Sequence, residues 1–245
     1  MTTDFINPAG QVCAGITCPF EFEVAMDNNG NAIVVWEQHI GNRLNADQGA
    51  VFMSEYRNGS WTHPLNNNAF INPGTMFNNA KFPRVAMNDN DEALVVWEQD
   101  DDTMDCTWLD NPSPCNQVFM SEYRSGSWVH PATTASHISP AGRMVGRFTY
   151  PDVAMSDSGA ALVTWVQLND HASPLCDPSS NTCYQTFLSE YRNGSWVHPA
   201  GPDDHISPDP EGQLANNPQA AVDDSGSSIV VWDQSSAVYK SELRQ

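Results

Sequence analysis

Val24-Ala25-Met26-Asp27, a turn through Gly30, and then Ala32-Ile33-Val34-Val35-Trp36-Glu37-Gln38 decide the fold, because this stretch returns three times. Val85-Ala86-Met87-Asn88 leads to residues 93–99, and Val153-Ala154-Met155-Ser156 leads to residues 161–167. More loosely, Ala220-Ala221-Val222-Asp223 leads to residues 228–234. The tryptophans that mark the copies, Trp36, Trp97, Trp165 and Trp232, stand 61, 68 and 67 residues apart. A third block, Val51-Phe52-Met53-Ser54-Glu55-Tyr56-Arg57, has counterparts at 118–124, 186–192 and 238–244. A fourth, Gly59-Ser60-Trp61-Thr62-His63-Pro64, recurs at 126–131 and 194–199 only. Self-similarity at a fixed period is the signature of a repeat architecture and is read before any motif.

Each copy reads as short strands. Val, Ile, Tyr, Phe and Trp dominate the pieces, and no helical period of adequate length interrupts them. Asp27-Asn28-Asn29-Gly30 and Ser156-Asp157-Ser158-Gly159 predict hairpin turns in which Gly supplies positive φ. Asp91 stands at the Gly position of the second copy, and Asp tolerates that region better than most residues. The Val-Val-Trp pieces are apolar on both faces, so both faces should be buried. A four-stranded antiparallel sheet packed on both sides is a propeller blade. The expected fold is all-β, a four-bladed β-propeller, with residues 1–245 as one domain and repeats beginning near 20, 82, 150 and 217.

The fourth copy stops at Arg244-Gln245, one outer strand short of the others. The N-terminus offers Asp4-Phe5-Ile6-Asn7-Pro8, which matches Ala69-Phe70-Ile71-Asn72-Pro73, His137-Ile138-Ser139-Pro140 and His205-Ile206-Ser207-Pro208. That register predicts a closed ring, with residues 1–8 helping to complete the fourth blade.

The pattern P-x-V-A-M-D-x-x-G-N-A-x-V-V-W-x-Q, followed by a Tyr strand and a Gly-Ser-Trp strand, resembles repeats of bacterial exported β-propeller proteins of uncharacterised function. Residues 20–38, 83–99, 151–167 and 218–234 carry it. A more distant resemblance is to the Asp-box repeat of sialidase-type propellers, S-x-D-x-G-x-x-W. Here Ser156-Asp157-Ser158-Gly159 is followed by five residues before Trp165. The resemblance implies a propeller architecture and export, and it transfers no activity.

With 30 Asp and Glu against 10 Lys and Arg, the formal net charge is −20, a field that repels nucleic acid and anionic lipid. No apolar run approaches the roughly 18 residues of a membrane span. The opening ten residues are no secretory leader, so an exported chain would have lost its leader before residue 1. The six cysteines fall into short-range pairs, Cys13 with Cys18, Cys106 with Cys115 and Cys176 with Cys183, which read as loop-closing disulfides of an oxidising compartment. The expected location is secreted, cell-surface or periplasmic.

Candidate sites are few. His63, His130 and His198 occupy one position in three copies, too far apart on a blade rim to share an ion, so they are expected to pack beside their tryptophans. The Glu/Arg pairs 55/57, 122/124, 190/192 and 242/244 recur in every copy and read as framework. The stretch Asp100, Asp101, Asp102, Asp105 and Asp110 could supply calcium with carboxylate oxygens. Loops at 39–50, 100–117 and 168–185 should gather at one end, where Trp108, Tyr184, His39 and His171 are candidate ligand-binding residues. The main expectation is a non-enzymatic binding or adhesion module for extracellular carbohydrate or protein, with no nucleic acid partner and no transmembrane segment. The first alternative is a sialidase-like glycan hydrolase or lyase. The second is a self-associating structural unit joined by strand exchange at the incomplete fourth blade.

Overall fold

The computed structural model describes residues 6–8, 19–39, 49–74, 79–105, 114–141, 151–168, 184–208 and 214–244, and of residues 19, 20, 102–105 and 114 the backbone only. The secondary structure described there is all strand. The first copy forms β1 (Pro19–Met26), β2 (Ala32–His39), β3 (Gly49–Arg57) and β4 (Ser60–Thr62). The second forms β5 (Lys81–Met87), β6 (Ala93–Asp105), β7 (Pro114–Arg124) and β8 (Ser127–Val129). The third forms β9 (Asp152–Met155), β10 (Ala161–Leu168), β11 (Tyr184–Arg192) and β12 (Ser195–Val197). The fourth forms β13 (Ala215–Val222), β14 (Ser228–Gln234) and β15 (Ala237–Leu243).

Each copy is one antiparallel sheet in sequence order, β1-β2-β3-β4, β5-β6-β7-β8, β9-β10-β11-β12 and β13-β14-β15. Among the described residues the fourth sheet has three strands, and its sequence carries no Gly-Ser-Trp block. Registers repeat from sheet to sheet: Trp36 lies opposite Phe52, Trp97 opposite Phe119, Trp165 opposite Phe187 and Trp232 opposite Tyr239. The first strands touch in succession, β1 to β5, β5 to β9 and β9 to β13, so they form the inner edges of the array.

The hairpins follow the turn chemistry. Gly30, Asp91, Gly159 and Gly226 all have positive φ, with Asp91 at 63°. The side chains of Asp27, Asn88 and Asp223 accept hydrogen bonds from the N–H groups of Asn31, Glu92 and Ser227 and close the loops. One expectation fails in detail. The acidic run after Gln99 continues β6 as far as Asp105, because Asp100 pairs with Asn116 and Asp101 with Cys115 in the ladder to β7.

Both faces of β10 are buried throughout and those of β6 over residues 93–99, whereas β14 alternates buried and half-buried residues. Within that apolar layer each Trp indole N–H donates to the Gln two residues on, at 3.2, 3.0, 3.1 and 3.2 Å from the first sheet to the fourth. The Gln amide then donates to the carbonyl of the proline in the incoming linker, Gln99 to Pro73 and Gln167 to Pro140, both at 2.7 Å. Just before those prolines the linker hydrogen-bonds to the preceding sheet, Ile71 N–H to Val51 C=O at 2.9 Å and Ile138 N–H to Val118 C=O at 2.8 Å. The Ile-Asn/Ser-Pro motif is therefore a clasp between successive sheets.

Ile6, the N-terminal counterpart of these isoleucines, packs on Trp36 and Phe52 of the first sheet, and its carbonyl accepts from Ser54 Oγ. Of residues 1–8, expected to help complete the fourth blade, 1–5 lie outside the described residues. Closure itself is not what the described surfaces show: Phe22, Val24 and Met26 of the first sheet and Val238 of the fourth are exposed, whereas a closed ring would cover them.

Replacing Gln99 by Leu should cost about 1–3 kcal/mol in chemical denaturation, because it strands the buried Trp97 N–H and the Pro73 carbonyl. Gln38→Leu should cost less, since Gln38 Nε2 has no hydrogen-bond partner among the described residues. Equal losses at the two sites would show that the proline bond contributes nothing.

Candidate functional site

Positions that the repeat keeps constant build the framework, so chemistry is sought where the copies disagree. The sharpest disagreement is on the inner strands, where one register position carries Glu23, Arg84, Asp152 and Gln219. Arg84 Nε lies 4.0 Å from Glu23 Oε2. Glu23 Oε2 also accepts from the Val85 N–H of the next sheet at 3.0 Å, and Asp152 Oδ2 accepts from the Ala220 N–H at 2.7 Å. Burial raises both carboxyls above the ordinary range, and the Asp152 charge lifts Glu23 further. Hydrogen bonds from the backbone and the Arg84 charge oppose these shifts without cancelling them. Two carboxyls with raised pKa and one guanidinium thus sit together on the inner edges of three successive sheets.

A second set of non-repeated charges lies one strand outward, where the copies carry Glu37, Glu98, Val166 and Asp233. Burial pushes Glu37 up to about 7 and Glu98 up to about 8. Glu37 accepts from the Phe82 N–H at 3.2 Å and meets His39 Nε2 at 3.3 Å. Glu98 is fully buried opposite Lys81, whose Nζ is 4.0 Å away. The register between β5 and β6 shifts here, and Phe82 has a φ of 55°, the kind of bulge that re-aims side chains near functional sites. Gly49 is required beside it, because a Cβ there would lie 2.5 Å from the Ala80 carbonyl oxygen and 3.2 Å from Glu37 Oε1.

Of the residues singled out by sequence, His39 belongs to this second set. Tyr184 is buried among Leu162, Leu168 and Trp232 between the third and fourth sheets. Trp108 and His171 lie outside the described residues, as do Asp110 and the side chains of Asp102 and Asp105. Asp101 is buried, with its Oδ2 3.7 Å from His137 Nε2. Among the described residues, no three His, Cys, Asp or Glu side chains are grouped as metal ligands. Five of the cysteines are outside the described residues, and Cys115 is buried at the start of β7. The rim histidines are occupied locally: His63, His130 and His198 each bond a serine hydroxyl through Nδ1 and stack on Trp61, Trp128 and Trp196. Recurrence conceals Glu23, Asp152 and the Glu37–Glu98 set, whereas Arg84 stands out in the sequence as one of four arginines outside the recurring Glu/Arg pairs. Aligning the copies and asking which aligned positions break the pattern would have found them.

No protein-family model matches the sequence, and no curated protein does either. Solved structures do resemble the fold. A protein of unknown function from Dyadobacter fermentans is 10% identical with a TM-score of 0.56, over 92% of this chain and 65% of that one. A GH93 alpha-L-arabinofuranosidase of Fusarium graminearum, complexed with arabinobiose, is 8% identical with a TM-score of 0.51, over 88% and 56%. An arabinofuranosidase of the same organism, bound to an iminosugar inhibitor, is 9% identical with a TM-score of 0.52, over 92% and 62%. The chain therefore spans 56–65% of the length of these neighbours. At such identity the likeness shows the fold, an all-β array of antiparallel sheets of the β-propeller type.

The buried acids predict a pH dependence. Folding raises Glu37 and Glu98 above 4.5, so the stability linked to them is complete below about pH 4.5 and is lost as pH rises through about 7 and 8. Glu98→Gln, which keeps the shape without the charge, should melt about 5 °C above the parent protein near pH 9. The gain should vanish near pH 4. A constant offset at all pH values would sink this assignment.

Proposed function

We propose that each sheet is one blade, so that four repeats of 61–68 residues supply four blades of a propeller, and that the chain acts on carbohydrate as a glycan hydrolase or lyase. The observation that carries this reading is the inner-edge group Glu23, Arg84 and Asp152, with both carboxyls raised by burial. Cleaving a glycosidic bond takes one carboxyl in its acid form to protonate the leaving oxygen and a second, ionised, to act as base or nucleophile. Elimination from a uronic acid needs a cation on the substrate carboxylate and a base for its α-proton. Arg84 and one of the two acids have the chemistry for that. The arabinofuranosidases with this fold favour a sugar over a protein ligand, and they support the catalytic alternative over the simple binding module.

The test is a polysaccharide panel that includes arabinan and a polyuronate, followed by reducing-end release and by ultraviolet absorbance of unsaturated product. Turnover is expected, and Glu23→Gln and Asp152→Asn should each lower it ~10²–10⁴-fold while the protein stays folded. Arg84→Gln should weaken cleavage of the polyuronate more than that of neutral arabinan. Binding without turnover across the panel would return the protein to the class of recognition modules.

Export belongs to the same proposal. Cys115 is disulfide-bonded, which supports the pairing of Cys106 with Cys115. Denatured, unreduced protein should show no thiol in a colorimetric titration. Six free thiols would remove the argument for an oxidising compartment.

A further inference from the structure

The contacts between sheets are directional. On its back, each sheet offers a row of groups that the front of the next receives. Arg57 lies over the Tyr123 ring and Arg124 over Tyr191, both at 3.9 Å. Glu55 accepts from the Trp128 indole at 3.0 Å and Glu122 from that of Trp196 at 3.3 Å. The turn N–H groups do likewise, Asn28 to Asp89 at 2.7 Å, Asp89 to Asp157 at 2.7 Å and Asp157 to Asp224 at 2.9 Å. Between these polar rows, Ile33, Val35 and Val51 on the back of the first sheet meet Val85, Val95 and Trp97 on the front of the second.

At the two ends of the array the same groups are present and uncovered. Val24 is 59% exposed where its counterpart Val85 is 6%, and Phe22 and Met26 flank it in the open. Trp61 is exposed, and among the described residues no glutamate meets its indole. On the back of the fourth sheet, Ala221 and Val238 are exposed and Ile229 and Val231 are half-buried. The Arg244 side chain is 79% exposed, against 13–15% for Arg57, Arg124 and Arg192, and it pairs only with Glu242 of its own strand among the described residues.

The grooves tell the same story. A 510 Å³ groove joins Arg124 and Glu92 of the second sheet to Tyr191, Asn193 and Gly159 of the third. Its two halves recur apart. One, with Glu242 and Arg244, lies on the back of the fourth sheet, and the other, with Tyr56, Asn58 and Gly30, lies on the front of the first.

We propose that these two surfaces are the halves of one further sheet–sheet junction, and that the occupant of each is a second copy of this chain, docked head to tail. Val24, Phe22 and Met26 of one copy cover Ile229, Val231 and Val238 of the next. Arg244 lies over Tyr56, and Glu242 accepts from the Trp61 indole. The case for this occupant is continuity with an interface that the chain already makes between its own successive sheets. The faces match each other and neither matches itself, so the contact is heterologous and can propagate or close into a ring. It uses whole sheet faces rather than an exchanged strand. It does not depend on the carbohydrate reading.

The experiment is sedimentation velocity on the full 245-residue chain over a wide concentration range, with Val24→Lys and Val238→Lys as separate variants. Both side chains are exposed, so both variants should fold, and circular dichroism checks it. Lys is chosen at 238 because Asp233 stands opposite. The parent should rise from one chain mass to two or more with concentration, and each variant alone should remain at one. An equimolar mixture of the variants should recover a two-chain species and stop there, since each retains one good face. A parent that stays monomeric throughout would overturn the proposal. So would a mixture that fails to associate, which would mean that like faces pair with like.

Discussion

The buried indole N–H is the constraint from which the rest of the structure follows. A tryptophan fills the centre of each sheet and stacks on an aromatic ring of the neighbouring strand, with centroids 5.9–6.2 Å apart. Its N–H cannot be left unpaired in that layer, and a desolvated donor without a partner costs about 1–3 kcal/mol. The answer in every sheet is a glutamine two residues on, which shares the face and presents its carbonyl. That creates a second buried donor, the glutamine amide, and in the second, third and fourth sheets this one reaches out of the sheet to the proline carbonyl of the linker. The polar debt of one core residue is thereby passed to the segment that joins two sheets. Chain connection and core packing become a single cooperative unit.

A unit of this kind has a direction, because donors and acceptors are not interchangeable. Arginine, glutamate and the turn N–H all project from the back of one sheet onto the front of the next. A stack built from such contacts has two unlike ends however many sheets it contains. A curved array relieves its ends only by meeting itself or another array. The outer face of an ordinary sandwich, by contrast, is finished with polar residues. Here the fourth sheet retains Ile229, Val231 and Val238 where a finished face would not, and the first retains Phe22, Val24 and Met26.

Much of the fold was legible in the sequence because repetition removes ambiguity. One apolar segment ending in Trp could be strand or buried helix, whereas four of them, each led by an Asx or Ser turn and followed by an alternating Ser-Glu-Tyr/Leu-Arg run, leave only strands. The left-handed Asp91 and the three strands of the fourth sheet were both readable for the same reason. The extension of β6 to Asp105 was not, since a run of aspartates carries no strand propensity and only its pairing with β7 makes it a strand. Ring closure was not readable either. Sequence reports which surfaces fit one another, and curvature decides whether they meet within one chain. The candidate site was invisible to a search for recurrence, because Glu23, Arg84 and Asp152 are single residues of three different types.

That variability is permitted by a substitution in what holds the inner strands together. Glu23 and Asp152 each tie their own sheet to the next by accepting a backbone N–H, so a carboxylate is the natural occupant of the position. Arg84 has no acceptor and cannot do this for the third sheet. The Val153 N–H is taken up instead by Asp152 itself, whose carboxylate thereby holds two backbone donors at once. The inner edge tolerates a cation between two acids because one acid has assumed the bonding that the cation cannot provide. A third carboxylate would do the same bonding more simply. That departure from the repeat is why the proposed site is placed at this position rather than at the more numerous acidic residues elsewhere.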